Sequence, residues 1–306
     1  MWRILVLAAF GCSSGSGSGS GSKSEIKAAI DDTGVISAIA ADDQGLAWSS
    51  VAHEAKDSKL KYRAAGGKVI SIATGYVLEI ALQGDAVFWS DRTHIWRADR
   101  DGARASQVLE VPDEVYLAGA DSEFVYYVAW RLVGRIAKNG TNEILARIPE
   151  DTEASFKKLA FDGGRIVASV SHFGSDHTGS EIRRIDGGQK VLDVMDVTDG
   201  QVNNLTIDGD RVVWSVERKS PQRHEVFSRP LAGGPRAHLA TGTLIAAREG
   251  AIYLTRRELA ATFLLNAVGQ RRIGPEVLHG VLVGKRLYAS FQTSSLKSTI
   301  GYLSVE

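Results

Sequence analysis

The chain has 306 residues, 44% hydrophobic and 24% charged, an ordinary globular composition with ample apolar surface for a core. Lysine plus arginine equals aspartate plus glutamate at 36 each, which argues against a nucleic-acid groove or a polybasic membrane face as the main business. With one cysteine, no disulfide framework can form within the chain.

Residues 1–11 read as a targeting signal. Arg3 supplies a minimal charged start, Ile4 to Phe10 is apolar, and Gly11-Cys12 follows. A run this short cannot span a bilayer, which needs about 20 residues. A sole cysteine after a short apolar segment and a small residue resembles the lipobox of bacterial lipoproteins. The resemblance implies that Cys12 carries a diacylglycerol on its sulfur and becomes the mature N-terminus. Ala9 stands where lipoboxes usually carry leucine, so an ordinary secretory signal cleaved nearby is the alternative.

From Ser13 to Ser22 the chain is serine and glycine only, a flexible coil with a root-mean-square reach of roughly 17 Å. An engineered linker would look the same, but the place of the segment after a lipobox-like signal favours a natural tether. Ser13 in place of aspartate after the cysteine implies, by the same resemblance, sorting to the outer membrane. Residues 12–23 are therefore read as lipidated cysteine and tether, and residues 24–306 as one domain.

Within that domain a seven-residue phrase recurs. It has two polar or Gly positions, a variable one, two apolar ones, an aromatic or small one, and usually a final serine. The copies are DQGLAWS, GDAVFWS, SEFVYYV, GGRIVAS, GDRVVWS, EGAIYLT and GKRLYAS, ending at residues 49, 90, 128, 169, 215, 255 and 290. The spacing is close to the ~40 to 45 residues of a propeller blade. Gly or Asp at the head suits a tight hairpin, and the apolar and aromatic run suits a strand packed on both faces. Short apolar runs upstream, such as Ile36 to Ala41, Val77 to Leu82, Leu159 to Phe161 and Val281 to Val283, read as inner strands. Two more runs follow downstream, giving four strands per repeat.

The expected fold is an all-β propeller of seven four-stranded blades, with six or eight as alternatives. The last repeat offers only three strands, and Glu25 to Ile30 is the candidate for its missing outer one. Pairing the two termini would close the ring and remove an open sheet edge. Trp48, Trp89 and Trp214 fall at equivalent second-strand positions and read as inter-blade packing, whereas Trp96 and Trp130 lie outside that position.

Two resemblances follow. Val87-Phe88-Trp89-Ser90-Asp91 with Ile95-Trp96-Arg97-Ala98-Asp99-Arg100-Asp101-Gly102 resembles a degenerate blade of the YWTD type, although that family closes with six blades. The chain from Cys12 onward is also similar to secreted or lipidated propellers of myxobacteria and their relatives, which implies a fold and an address without an activity.

Candidate ligand-face residues come from the long connections between second and third strands. Val51 to Lys59 holds His53 and Glu54, Ser171 to Glu181 holds His172, Asp176 and His177, and Glu217 to Glu225 holds Arg218, Arg223 and His224. Long loops on a rigid frame are where binding residues gather. His172, Asp176 and His177 are a weak candidate metal set, since imidazole and carboxylate within six residues can converge on a divalent ion.

No Gly-x-Ser-x-Gly elbow, His-Glu-x-x-His helix, Walker loop or paired-cysteine motif occurs. Catalytic residues are unassigned and no cofactor is expected. The expectation is a monomeric, membrane-tethered scaffold in the cell envelope that holds a protein, peptide or glycan, without nucleic acid as a partner. The alternative is a propeller hydrolase or lyase with a polar or metal site at the ring mouth.

Overall fold

Every copy of the phrase becomes a turn and the strand after it. The second strands of the seven blades are Gly45–Val51, Ala86–Ser90, Phe124–Ala129, Arg165–His172, Arg211–Lys219, Ala251–Arg256 and Arg286–Ser294, each starting on the third residue of its phrase. The computed structural model describes residues 27–32, 34–51, 58–173, 179–185, 192–219, 222–294 and 297–304. At the head of the phrase Gly84, Gly163, Gly209 and Gly284 take φ of +52°, +53°, +60° and +55°, a region that costs a side chain energy and glycine nothing. In blades 1 and 3 the preceding aspartate shapes the turn instead. Asp42 Oδ1 accepts from the amides of Gln44 and Gly45, both at 3.0 Å, and Asp121 Oδ1 from those of Glu123 and Phe124, both at 2.8 Å.

The strands form seven four-stranded antiparallel sheets. The inner strands are Val35–Ala41, Glu79–Gln83, Val115–Ala120, Ala154–Asp162, Gln201–Asp208, Thr243–Arg248 and His279–Val283. Each neighbours the next, and the seventh returns to the first, so the blades form a closed ring. One buried cluster fills each gap between neighbouring blades. Adjacent residues of a strand point to opposite faces. Tyr126 therefore packs towards blade 4 and Tyr127 towards blade 2. That is why the phrase is a continuous apolar run. Trp48, Trp89 and Trp214 are buried in three of these gaps, each worth about 3–5 kcal/mol against alanine.

The seventh blade takes its outer strand from the other end of the chain. Lys27–Asp32 pairs antiparallel with Lys297–Ser304, matching Lys27 to Tyr302 and Asp32 to Ser298. This is the closure expected of Glu25 to Ile30, displaced by two residues at both ends. The YWTD-like hairpin of blade 2 also serves the frame. Arg100 is buried, donates from Nε to Gly84 O at 2.7 Å and from Nη1 to Tyr62 Oη at 2.9 Å, and pairs with Asp42, binding blade 2 to blade 1.

Four inner strands differ from the apolar runs that marked them. The fourth starts at Ala154, the fifth at Gln201 and the seventh at His279, and the second begins at Glu79. β-bulges account for the fourth and fifth, while the second and seventh pair with their neighbours without a register shift. Register shifts fall between Ile36 and Ala38, Leu117 and Gly119, Phe156 and Lys158, Val202 and Asn204, and Leu244 and Ala246. An extra residue breaks the alternation and re-aims side chains, so the polar halves of these strands carry no apolar signature.

Candidate ligand-binding face and channel

The last residue of the phrase identifies the site. On the inner strand, the partners of Ser49, Ser90, Ser169, Ser215 and Ser290 are Ala38, Glu79, Lys158, Asn204 and His279. In the two blades without that serine, Val128 faces Tyr116 and Thr255 faces Thr243. These serines are buried, and two of them satisfy inner-strand amides: Lys158 N donates to Ser169 Oγ at 3.0 Å and His279 N to Ser290 Oγ at 3.2 Å. The buried serines thus back a tier of inner-strand residues at the channel.

Residues from all seven inner strands line a central cavity of about 510 Å³, Glu79, Tyr116, Lys157, Lys158 and Asn204 among them. An adjoining hollow of about 240 Å³ is lined by Glu79, Asn204 and His279. The side chains of Glu79, Lys158 and His279 make no hydrogen bond or ion pair among the described residues. Each touches channel space: Glu79 is half-buried, while Lys158 and His279 are exposed to the channel but crowded by the surrounding blades. Burial holds the Glu79 carboxyl above its ordinary value, with the Lys158 ammonium opposing the shift. Burial and the same ammonium both push the His279 imidazole down. The Lys157 ammonium is lowered by burial, against the pull of Glu114.

An aromatic platform stands beside Lys157. Trp130, in the second-to-third turn of blade 3, stacks on Phe173, which follows the second strand of blade 4, with centroids 5.4 Å apart and an interplanar angle of 1°. Lys157 Nζ lies 5.0 Å from one ring centroid and 5.1 Å from the other. Both rings remain accessible, at 40% and 46%. The Trp130 backbone has φ of +34°, a conformation that is costly for a bulky residue and that concentrates at functional sites. Its carbonyl accepts from Phe156 N at 2.7 Å, and Phe173 N donates to Glu153 O at 2.9 Å, so the platform is anchored to the chain beside the Lys157 bulge.

Of the residues singled out from sequence, Cys12, His53, Glu54, Asp176 and His177 lie outside the described residues. His172 ends the second strand of blade 4, with Nε2 3.3 Å from Glu181 Oε1. Arg218, Arg223 and His224 sit on the paired strands Arg211–Lys219 and Gln222–Pro230, in a tighter hairpin than the loop expected there. Arg218 pairs with Asp199 and, at 2.6 Å, with Glu225. Arg223 and His238 approach that same carboxylate at 3.5 and 3.8 Å. The blade-5 cations are thus neutralised locally, and no contact among the described residues joins them to His172. Also among the described residues, no three His, Cys, Asp or Glu side chains are placed to share a metal ion.

Sequence reasoning missed Glu79, Lys157, Lys158 and His279, the polar members of strands sought by their apolar runs. A usable signal was present: Lys158 and His279 each stand 11 residues before the closing serine of their phrase.

No family model matches the chain, and no curated protein sequence does. Solved structures do. The WD40 domain of Neurospora crassa Pan2 superposes with a TM-score of 0.62 at 12% identity, over 89% of this chain and 92% of that one. The β-propeller domain of the Trilobed protease from Pyrococcus furiosus gives 0.64 at 11%, over 90% and 97%. A chain of the nidogen/laminin complex gives 0.51 at 17%, over 68% and 80%. At such identities the likeness is one of fold, and the fold is a seven-bladed β-propeller.

Proposed function

We propose that the protein is a ligand-binding propeller tethered to the cell envelope through a lipid on Cys12, and that the channel mouth with its adjoining turns is the binding face. One observation carries the reading: a stacked and accessible aromatic pair, Trp130 and Phe173, is presented there. Trp130, Phe173, Leu259 and Leu278 are 40 to 48% exposed and all lie on connections at the end where second strands finish and inner strands begin. An accessible aromatic pair beside further exposed apolar side chains, with a backbone strained to present one of them, marks an interaction surface. The ligand is a peptide, protein or glycan of the envelope.

The test uses the full chain mixed with isolated envelopes. Wild type is expected to sediment with them, and the Trp130→Gly/Phe173→Ala variant to remain in solution with an unchanged circular dichroism spectrum. Equal sedimentation of the two would remove this face from the reading. Lipid-free controls separate tethering from binding, because Cys12→Ala should release the protein from membranes in its own cell.

A hydrolase or lyase reading has one observation in its favour. Glu79, its carboxyl raised by burial, and His279, its imidazole lowered by burial, share one cavity, the pairing that acid–base chemistry uses. Turnover abolished by Glu79→Gln with binding retained would establish it.

A further inference from the structure

We infer that the ligand is an acidic saccharide, its sugar ring stacked on the Trp130–Phe173 platform and its carboxylate held by Lys157 and Lys158. The inference rests on the channel mouth being the binding face and names the chemistry that the face selects.

Charge complementarity carries the first half. Lys157 and Lys158 are consecutive, exposed and without a side-chain ion pair among the described residues, and both line the cavity. Glu114, the acid that acts on Lys157, already accepts the Tyr116 hydroxyl at 2.5 Å. Arg218 and Arg223 on the blade-5 hairpin, in contrast, are held by Glu225. Lys158 acts on Glu79, whose charged form burial disfavours. The local excess is therefore positive, and an anion is the group that relieves it.

Shape carries the second half. Trp130 and Phe173 stack on each other and both stay accessible, so the pair presents an outward ring face, suited to the C–H face of a sugar ring. Lys157 beside both rings repels cationic ligands that would otherwise prefer aromatic faces. Single-stranded nucleic acid asks for successive stacking platforms along a basic groove, and the chain's charges balance at 36 against 36. An extended acidic peptide would use a sheet edge or a row of side-chain pockets, neither of which is what the platform presents. The cavity of about 510 Å³ lies in the range of small-molecule sites, so a terminal uronate can enter while the rest of the chain lies across the platform.

The experiment is calorimetric titration of the full chain with tetrasaccharides of galacturonate, glucuronate, mannuronate and guluronate and with the methyl ester of each. At least one acid is expected to bind, with its methyl ester at least tenfold weaker. Lys157→Met/Lys158→Met should weaken the acid at least tenfold and leave the ester unchanged. Trp130→Gly should weaken both, and it should fold, because glycine accepts the left-handed backbone there. Equal affinity for acid and ester, indifference to the lysine substitutions, or no binding of any of the four acids would overturn the inference. If the acids fail while Trp130→Gly/Phe173→Ala still abolishes envelope sedimentation, the ligand class falls and the binding face stands. If sedimentation is also indifferent, both fall.

Discussion

Trp48 Nε1 donates to Asp32 Oδ2 at 2.6 Å, and that bond joins the two ends of the ring. Asp32 closes the N-terminal strand that completes blade 7, and Trp48 lies in the second strand of blade 1. Lys61 Nζ reaches the same carboxylate at 2.8 Å and Gly34 N at 3.2 Å. The carboxylate is buried with three kinds of donor around it. A ring fastened by strand pairing alone would leave blade 7 and blade 1 in contact only through apolar surface; here a polar clamp fixes the register.

Asp32→Asn is expected to lower stability by about 2 kcal/mol, because it leaves a partly buried ammonium without its counter-charge and weakens the bond to Trp48. Thermal melting measures the loss, and limited proteolysis should then cut near residue 33 before the rest of the domain. Acid makes a second readout. Burial pushes the Asp32 carboxyl up, but the bonds from Lys61 and Trp48 outweigh it and hold the group below 3.8. Its stabilising contribution is therefore fully present above 3.8 and lost as pH falls through the lowered folded value. Wild type should show this acid slope and Asp32→Asn should lack it.

The closing serines should divide into two classes. Ser169 Oγ accepts from Lys158 N at 3.0 Å, whereas the buried Ser215 Oγ has no hydrogen-bond partner among the described residues. Ser169→Ala is expected to cost about 1 kcal/mol. Ser215→Ala should be neutral or stabilising, since an unpartnered buried hydroxyl is a liability. Urea midpoints that moved equally for both would refute the assignment.

Blade 6 carries glutamate where four other phrases begin with glycine. Glu249 has φ of +53° and an exposed side chain whose one ion pair, to Arg248 at 3.5 Å, is also exposed. Glu249→Gly is expected to stabilise the fold by about 1 kcal/mol, a rise of roughly 2 °C in Tm for a domain of this size. A fall in Tm would show that the turn is held by something other than its backbone conformation.

The channel predicts a pH dependence of opposite sign for its two unpaired groups. With its carboxyl raised by burial, Glu79 resists ionisation in the folded state, so wild type loses stability relative to Glu79→Gln as pH rises from 4.5 through the raised value. His279, lowered from 6.5, contributes stability that is present above 6.5 and lost as pH falls through the lowered value. Urea midpoints between pH 4 and 8 for wild type, Glu79→Gln and His279→Gln test both; pH-independent differences would contradict the shifts assigned to these groups.

Much of the frame was legible residue by residue. The third residue of every phrase opens a second strand, Trp48, Trp89 and Trp214 fill gaps between blades, and the N-terminal strand lies within two residues of its expected place. These features are legible because tight turns and two-faced packing each restrict the residue types that fit. Arg218 and Arg223 were identified as polar residues near a turn, which says nothing of Glu225 waiting on the paired strand.

The local pattern of this chain dictates blades, because a glycine or aspartate turn followed by apolar residues on both faces has few other ways to bury itself. It also dictates their number, since one phrase makes one blade. The site arises at a longer range. Glu79, Lys158 and His279 belong to three blades separated by most of the chain, and each is an unremarked polar residue beside a bulge or at a strand end. Ring closure alone brings them together around one channel, close enough for the Lys158 ammonium to act on both Glu79 and His279.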